Sequence, residues 1–154
     1  MTQEKLKQFL DACFDAKRLI EKLPDLPDGM KPRQVHVLDA VNEIQKKQGF
    51  CRVSDISSYM NTTLPSITKL VQELEERNLL VKQADEKDKR VINLTLTEEG
   101  KEFVDLRVTH FHGEWASRLP DLDDAVVDEF VHAITRMQET MPGIKGVKSN
   151  GKRK

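Results

Sequence analysis

The side chains of this sequence that could act together chemically begin with Ser66, Thr68, Lys69 and Gln72, with Thr63 and Pro65 just ahead of them. On a helix turning about 100° per residue, Pro65, Thr68, Lys69, Gln72 and Glu76 share one face, with Ser66 at its flank. The apolar residues Ile67, Leu70, Val71 and Leu74 recur on the other side. Such a face carries hydroxyl, amide and ammonium groups, the set that hydrogen-bonds to base edges and phosphates. A second cluster, Asp85-Glu86-Lys87-Asp88-Lys89-Arg90, has no apolar residue to bury. It must project into solvent or toward a polyanion. Metal chemistry is poorly served: His110 and His112 are two apart on an expected helix, so their side chains diverge by roughly 200° and cannot share one ion there. His36 could join one of them only through tertiary proximity. No glycine-rich phosphate loop, metal-ligand motif or nucleophile elbow is present, and the scattered acidic residues fall on charged helix faces, so no catalysis is expected.

The elements that must position these groups follow from spacing. A short helix, Ser54 to Met60, is expected to lead through a turn, Asn61 to Thr63, into a second helix, Leu64 to Asn78. Thr63 suits the N-cap, and Pro65 falls in the first turn, where a missing N–H costs little. Asn78 tolerates the left-handed conformation that often ends a helix. Leu79 to Ala84 and Val91 to Leu96 are aliphatic and β-branched, with Ile92, Leu94 and Leu96 alternating against Val91, Asn93 and Thr95, which predicts two half-buried strands. The charged cluster is then the tip of a hairpin. Helix, turn, helix and hairpin in this order describe a winged helix-turn-helix, which places one helix in the DNA major groove and a hairpin tip beside it.

From Lys69-Leu70-Val71 to Leu94-Thr95-Leu96-Thr97-Glu98-Glu99-Gly100 the sequence resembles, without a gap, the MarR family of bacterial transcriptional regulators. Leu74-Glu75 and Leu79 resemble the end of that family's recognition helix, Asp88-Lys89-Arg90 its Asp-x-Arg wing signature, and Leu96 to Gly100 the start of its next helix. The resemblance implies that Arg90 enters a narrow minor groove and that Asp88 positions it. Asn78 stands where the family usually has Gly, and Lys82 where it often has Arg, which removes a planar fork.

Positive and negative side chains nearly cancel, 25 Lys and Arg against 26 Asp and Glu, so bulk attraction to a polyanion is absent and basic groups must act locally, at Lys69, Lys87, Lys89 and Arg90. No apolar run approaches membrane-spanning length, and the first residues lack the organisation of a secretory signal, so a cytoplasmic location is expected. Cys13 and Cys51, distant in sequence, give no reason to expect a disulfide. Both read as packed core thiols. Redox sensing through Cys13 is the alternative that the resemblance suggests, since some relatives sense peroxides through a cysteine in the first helix. The single tyrosine, Tyr59, is far along the chain from it.

Flanking helices complete a mainly α fold. Leu6, Phe9, Cys13, Ala16, Ile20 and Leu23 step by three and four along the first, widened by Leu10, Phe14 and Leu19. Val35, Leu38, Val41 and Ile44 follow in a helix starting near Pro32. Val104, Val108, Phe111, Trp115 and Leu119 lie along a fifth helix, capped by Thr97 and broken at Pro120. Val127, Phe130, Ile134, Met137 and Met141 mark a last one, opening at Asp121 or Asp123 and stopped by Pro142-Gly143. The expected organisation is one domain over 1–143, with a DNA-binding unit at 32–100, dimerisation helices at 1–24 and 101–142, and a flexible basic tail at 144–154. An intramolecular bundle would use the same heptads; the homodimer is what the resemblance implies. So is a small aromatic acid effector in a crevice near the second and fifth helices, for which Arg18, Arg33, His36 and Trp115 are available. A winged protein-interaction module that does not read DNA is the contrasting reading, permitted by the near-zero charge.

Overall fold

The structure, a computed structural model, describes residues 1–22, 26–86 and 88–143. Leu23 of the expected first stripe, Lys87 of the hairpin tip and the tail 144–154 lie outside the described residues. The elements run α1 (Gln3–Glu21), α2 (Pro32–Gln48), α3 (Val53–Tyr59), α4 (Leu64–Glu76), β1 (Leu80–Ala84), β2 (Ile92–Leu96), α5 (Glu98–Val104), a π-helical stretch (Asp105–His110), α6 (Phe111–Ser117) and α7 (Asp124–Thr140). The chain divides into two compact units, Met1–Thr109 and His110–Lys154.

In the first unit α2 is the central support. Val37, Leu38 and Val41 are fully buried together with Ile56 of α3 and with Ile67, Val71 and Leu74 of α4. The stripe expected on α4 is therefore the stripe that faces the core, and each such aliphatic side chain contributes about 1.5–3 kcal/mol when removed from water. Polar ties hold α2 to its neighbours. Gln34, itself buried, donates from Nε2 to Glu73 Oε2 of α4 at 2.9 Å and accepts the Lys31 N–H at 2.8 Å. Gln45 Nε2 donates to the Leu94 carbonyl of β2 at 3.0 Å. Both satisfy groups that would be costly to bury unpaired.

The strands pair antiparallel from Leu80↔Leu96 to Ala84↔Ile92. Leu80, Leu94 and Leu96 are buried, but Ile92 is 41% exposed. The expectation of half-buried strands thus holds only at the base of the hairpin. Its far end has left the core, so alternation there has no face to bury.

Helix boundaries follow local chemistry. Asn78, at φ 57°, takes the left-handed conformation just after α4, and Asn61, at φ 46°, does so in the turn before it. Thr63 occupies the N-cap of α4 without capping it through a backbone N–H; its hydroxyl instead pairs with that of Ser66 at 2.9 Å. Thr97 does cap α5, accepting the Gly100 N–H at 2.9 Å while donating to the Asn78 carbonyl at 2.7 Å.

α1 buries no residue. Phe14 is 65% exposed, and Cys13 is half-buried, not the fully packed thiol expected from its place in the stripe. Cys51 is fully buried, as expected. The single helix expected between Thr97 and Pro120 is instead α5, the π-helical stretch and α6. Val104 and Val108 are buried at the end of the first unit.

In the second unit, α6 ends in short-range turns, Arg118 N–H to Trp115 O and Leu119 N–H to Ala116 O, ahead of Pro120. Asp123 caps α7 by accepting the Ala125 N–H at 2.9 Å. On α7, Ile134 and Met137 are half-buried while Val127 and Phe130 are exposed. Phe111 and Trp115 pack with ring centroids 5.7 Å apart, tilted by 56°.

Candidate nucleic-acid interface

The turn between α3 and α4 is tightly specified. Ser57 Oγ donates to the Thr62 carbonyl at 2.5 Å, and the Thr62 N–H donates to the Ser57 carbonyl at 3.0 Å. Arg33, from the first turn of α2, donates to Thr62 Oγ1 at 3.1 Å. Two helices thereby fix where α4 begins. From that start α4 turns its apolar stripe inward, leaving Pro65, Thr68, Lys69, Gln72 and Glu76 exposed and Ser66 half-buried, as the spacing predicts. Thr68 Oγ1 donates to the Leu64 carbonyl at 2.9 Å, so its proton is used within the helix and its oxygen faces outward as an acceptor. Lys69 and Gln72 are the long donors of this surface.

Beside it stands the hairpin, tied to α4 by the Lys82 Nζ to Glu75 Oε2 ion pair at 2.5 Å. At the tip, Arg90 grips Asp88 with both ends of its guanidinium fork, Nε to Oδ1 at 3.0 Å and NH2 to Oδ2 at 3.1 Å, and its own backbone N–H also reaches Oδ1 at 3.0 Å. The side-chain hydrogen bond from Arg90, then the backbone one, hold the Asp88 carboxyl below the usual carboxylate range. Asp88 raises Arg90 in turn, so the guanidinium stays charged. Arg90 is nevertheless 91% exposed along its side chain. The aspartate fixes its base and leaves its surface open, the geometry that the Asp-x-Arg signature implies.

Sequence reasoning missed the support beneath this pair. Asp85 Oδ1 accepts the Asp88 N–H at 3.1 Å, and Asp85 Oδ2 accepts Asn93 Nδ2 from β2 at 3.2 Å. Aspartate three residues before a turn N–H is a signal that local side-chain turns could have supplied. Charge pattern alone shows it only as part of a cluster. Arg33, a candidate for an effector in the sequence, instead holds the turn through Thr62.

The remaining candidates occupy separate settings. Cys51 is pushed up to about 12 by burial and by nearby Asp55, which makes it an inert thiol. Arg18 pairs with Asp15 at 2.6 Å, beside Phe14 in an open depression along α1, and Trp115 packs on Phe111. Among the described residues no cluster of three or more His, Cys, Asp or Glu is placed to hold a metal, and no helix is long and apolar enough to cross a membrane.

A recognition helix with an open polar face, followed by a hairpin presenting an arginine, defines a winged helix-turn-helix protein. Residues 28–91 of this chain match the sequence profile of the MarR family. The curated HTH-type transcriptional repressor MdtR of Bacillus subtilis (strain 168) is 38% identical over 72 residues, 47% of this chain and 44% of that protein, so the match spans under half of the relative's length. Among solved structures, Streptococcus pneumoniae FabT in complex with DNA superposes with a TM-score of 0.66 at 19% identity, over 90% of this chain and 96% of that one. Bordetella bronchiseptica BpsR, described with regulation of its DNA binding by 6-hydroxynicotinic acid, gives 0.62 at 21% identity, over 87% and 98%. The S. aureus MepR–DNA complex gives 0.59 at 19%, over 92% and 99%. At these identities the structural likeness speaks for the fold.

Proposed function

We propose that this chain is a sequence-specific DNA-binding transcriptional regulator, acting as a cytoplasmic homodimer on a pseudo-palindromic operator and repressing transcription until an effector is bound. One observation carries the reading: the exposed Thr68, Lys69 and Gln72 face of α4 lies on the same winged unit as an arginine held by Asp88 yet open to solvent. Thr63, Pro65, Ser66, Thr68, Lys69 and Gln72 would meet the major groove, Arg90, positioned by Asp88, would enter the adjoining minor groove, and Lys87 and Lys89 would add local contacts to the DNA. FabT and MepR, both solved with DNA, support this use of the fold.

The dimer is supported by α1 and α7, each of which leaves apolar side chains exposed that a second copy would cover, Phe14 and Ile20 on one and Val127 and Phe130 on the other. Two copies would set equivalent recognition helices about 34–36 Å apart for half-sites one helical turn apart. The effector class proposed is a small aromatic acid, by analogy with BpsR. It would act only through different affinities for DNA-competent and DNA-incompetent conformations. A footprint on the DNA upstream of the gene, repeated with phenolic acids, peroxide and zinc, tests partner and switch together. Protection of two half-sites, relieved by one of these agents, is expected. A protein that stays monomeric at micromolar concentration and protects no DNA refutes the proposal.

A further inference from the structure

The hairpin tip poses a physical problem. Asp85 and Asp88 are held close enough that the negative charge of Asp85 works against ionisation of Asp88, yet neither carboxylate points away. Each is engaged. Asn93, on β2, directs Nδ2 to Asp85 Oδ2 at 3.2 Å, and a carboxylate can only accept, so the donor end of this amide must face it. The price is a buried Asn93 Oδ1 with no hydrogen-bond partner among the described residues, an unfavourable state that the bond to Asp85 must offset. Asp85 Oδ1 then accepts the Asp88 N–H at 3.1 Å. Two backbone bonds close the loop around them, Asp85 N–H to Val91 O and Val91 N–H to Asp88 O, both at 2.9 Å. Asp88, so placed, receives the Arg90 fork. Hydrogen bonds therefore run from the paired part of the hairpin, through Asn93 and Asp85, to the guanidinium.

We infer that Asp85 and Asn93 are positioning residues for DNA recognition, fixing the loop so that Asp88 presents Arg90 to the minor groove. This rests on the DNA-binding reading above. Preorganisation of this kind matters because an exposed arginine otherwise loses rotamer freedom when it binds.

The sign of the effect separates positioning from charge. Removing an acidic group beside a polyanion should tighten binding if Asp85 acts only through its charge. If Asp85 positions Arg90, Asp85→Ala should weaken binding instead. The probe is a duplex selected by the wild-type chain from a randomised pool, titrated by gel shift. About tenfold weaker binding is expected for Asp85→Ala, and no further loss when Asp85→Ala is added to Arg90→Ala, because there is then nothing left to position. The exchange Asp85→Asn with Asn93→Asp reverses the polarity of the bond and keeps an acceptor for the Asp88 N–H, so it should restore affinity. Thermal melts of each variant separate misfolding from loss of positioning, and the exchange serves where Asp85→Ala fails to fold. Tighter or unchanged binding by Asp85→Ala, or losses that add in the double variant, overturn this inference while leaving the DNA-binding reading intact. A pool that yields no enriched duplex overturns both.

Discussion

A Cβ placed on Gly100 would lie 2.1 Å from the carbonyl oxygen of Leu79, so the first turn of α5 rests directly on the residue that leads into β1. The obstacle is backbone and cannot swing aside as a side chain would. The same junction carries the Thr97 N–H bond to the Leu79 carbonyl at 3.2 Å and the Thr97 hydroxyl bond to Asn78. Gly100→Ala should therefore force α5 off the hairpin base and destabilise the chain by about 1–3 kcal/mol, the usual range for overpacking. Among the described residues nothing lies within 4 Å of a Cβ placed on Gly113 of α6. There Ala should be stabilising by about 0.5–1 kcal/mol, through helix propensity. Urea denaturation of the two variants reads the contrast. Equal midpoints would remove the close approach as the reason for glycine at Gly100.

Cys51 gives an alkaline prediction. Its thiol is fully buried, donates weakly to the Arg52 carbonyl at 3.8 Å, and is raised from 9.0 to about 12 by burial first and Asp55 second. The folded state prefers the neutral thiol, so the stability this contributes is complete below 9.0 and is lost as pH climbs toward about 12. Comparing the pH dependence of unfolding for wild type and Cys51→Ala isolates the effect from other groups titrating there. The wild type should lose stability more steeply across that window. At neutral pH, native-state alkylation followed by mass spectrometry should label the half-buried Cys13 before Cys51. Early labelling of Cys51 would contradict its place in the core.

Much of the winged unit was legible because it obeys periodicity. The stripe Ile67, Val71, Leu74 has a core to face, and its opposite side is exposed residue for residue. Turn chemistry was legible at Asn78, whose left-handed backbone needs Gly or Asn. Tertiary relations were not. Nothing in the spacing of Arg33 announces that it holds Thr62, and Ile92 was given a buried face because alternation cannot say where a hairpin outgrows its core. Cys13 was expected among packed side chains because a stripe shows which residues share a side, not whether the same chain covers it. The Asp85 bonds lay between the two scales, local in sequence but dependent on Asn93 across the strand pair.

The recognition face yields two different outcomes from neighbouring residues. Lys69 carries a compact charge at the exposed side of α4, suited to a phosphate, whereas Gln72 offers an amide that can pair with a base edge. Lys69→Ala should weaken binding about equally to preferred and scrambled duplexes and reduce the salt slope by about 1. Gln72→Ala should relax sequence preference and leave that slope unchanged. Binding isotherms over a range of salt, on both duplexes, distinguish them. A Lys69 variant that keeps the full slope would place this residue away from the backbone.

The Arg90 and Asp88 pair makes its own pH prediction. Hydrogen bonds from Arg90 lower the Asp88 carboxyl, so the ordering they give the hairpin tip is fully present above the ordinary carboxylate range and is lost as acid protonates Asp88 below it. Binding between pH 5 and 8, roughly the span in which histidines titrate, should owe none of its pH dependence to this pair. Carboxyl-carbon NMR should find Asp88 titrating below the usual aspartate range in the wild type and moving upward in Arg90→Ala. The same variant should bind its selected duplex roughly tenfold or more weakly, the range expected for losing a groove-inserted arginine. Arg90→Lys should recover charge without the fork, leaving Asp88 lowered less than in the wild type and affinity only partly restored. An Asp88 resonance that titrates identically in all three proteins would mean that the two side chains are not paired in solution, and the aspartate would then have no means of presenting the arginine.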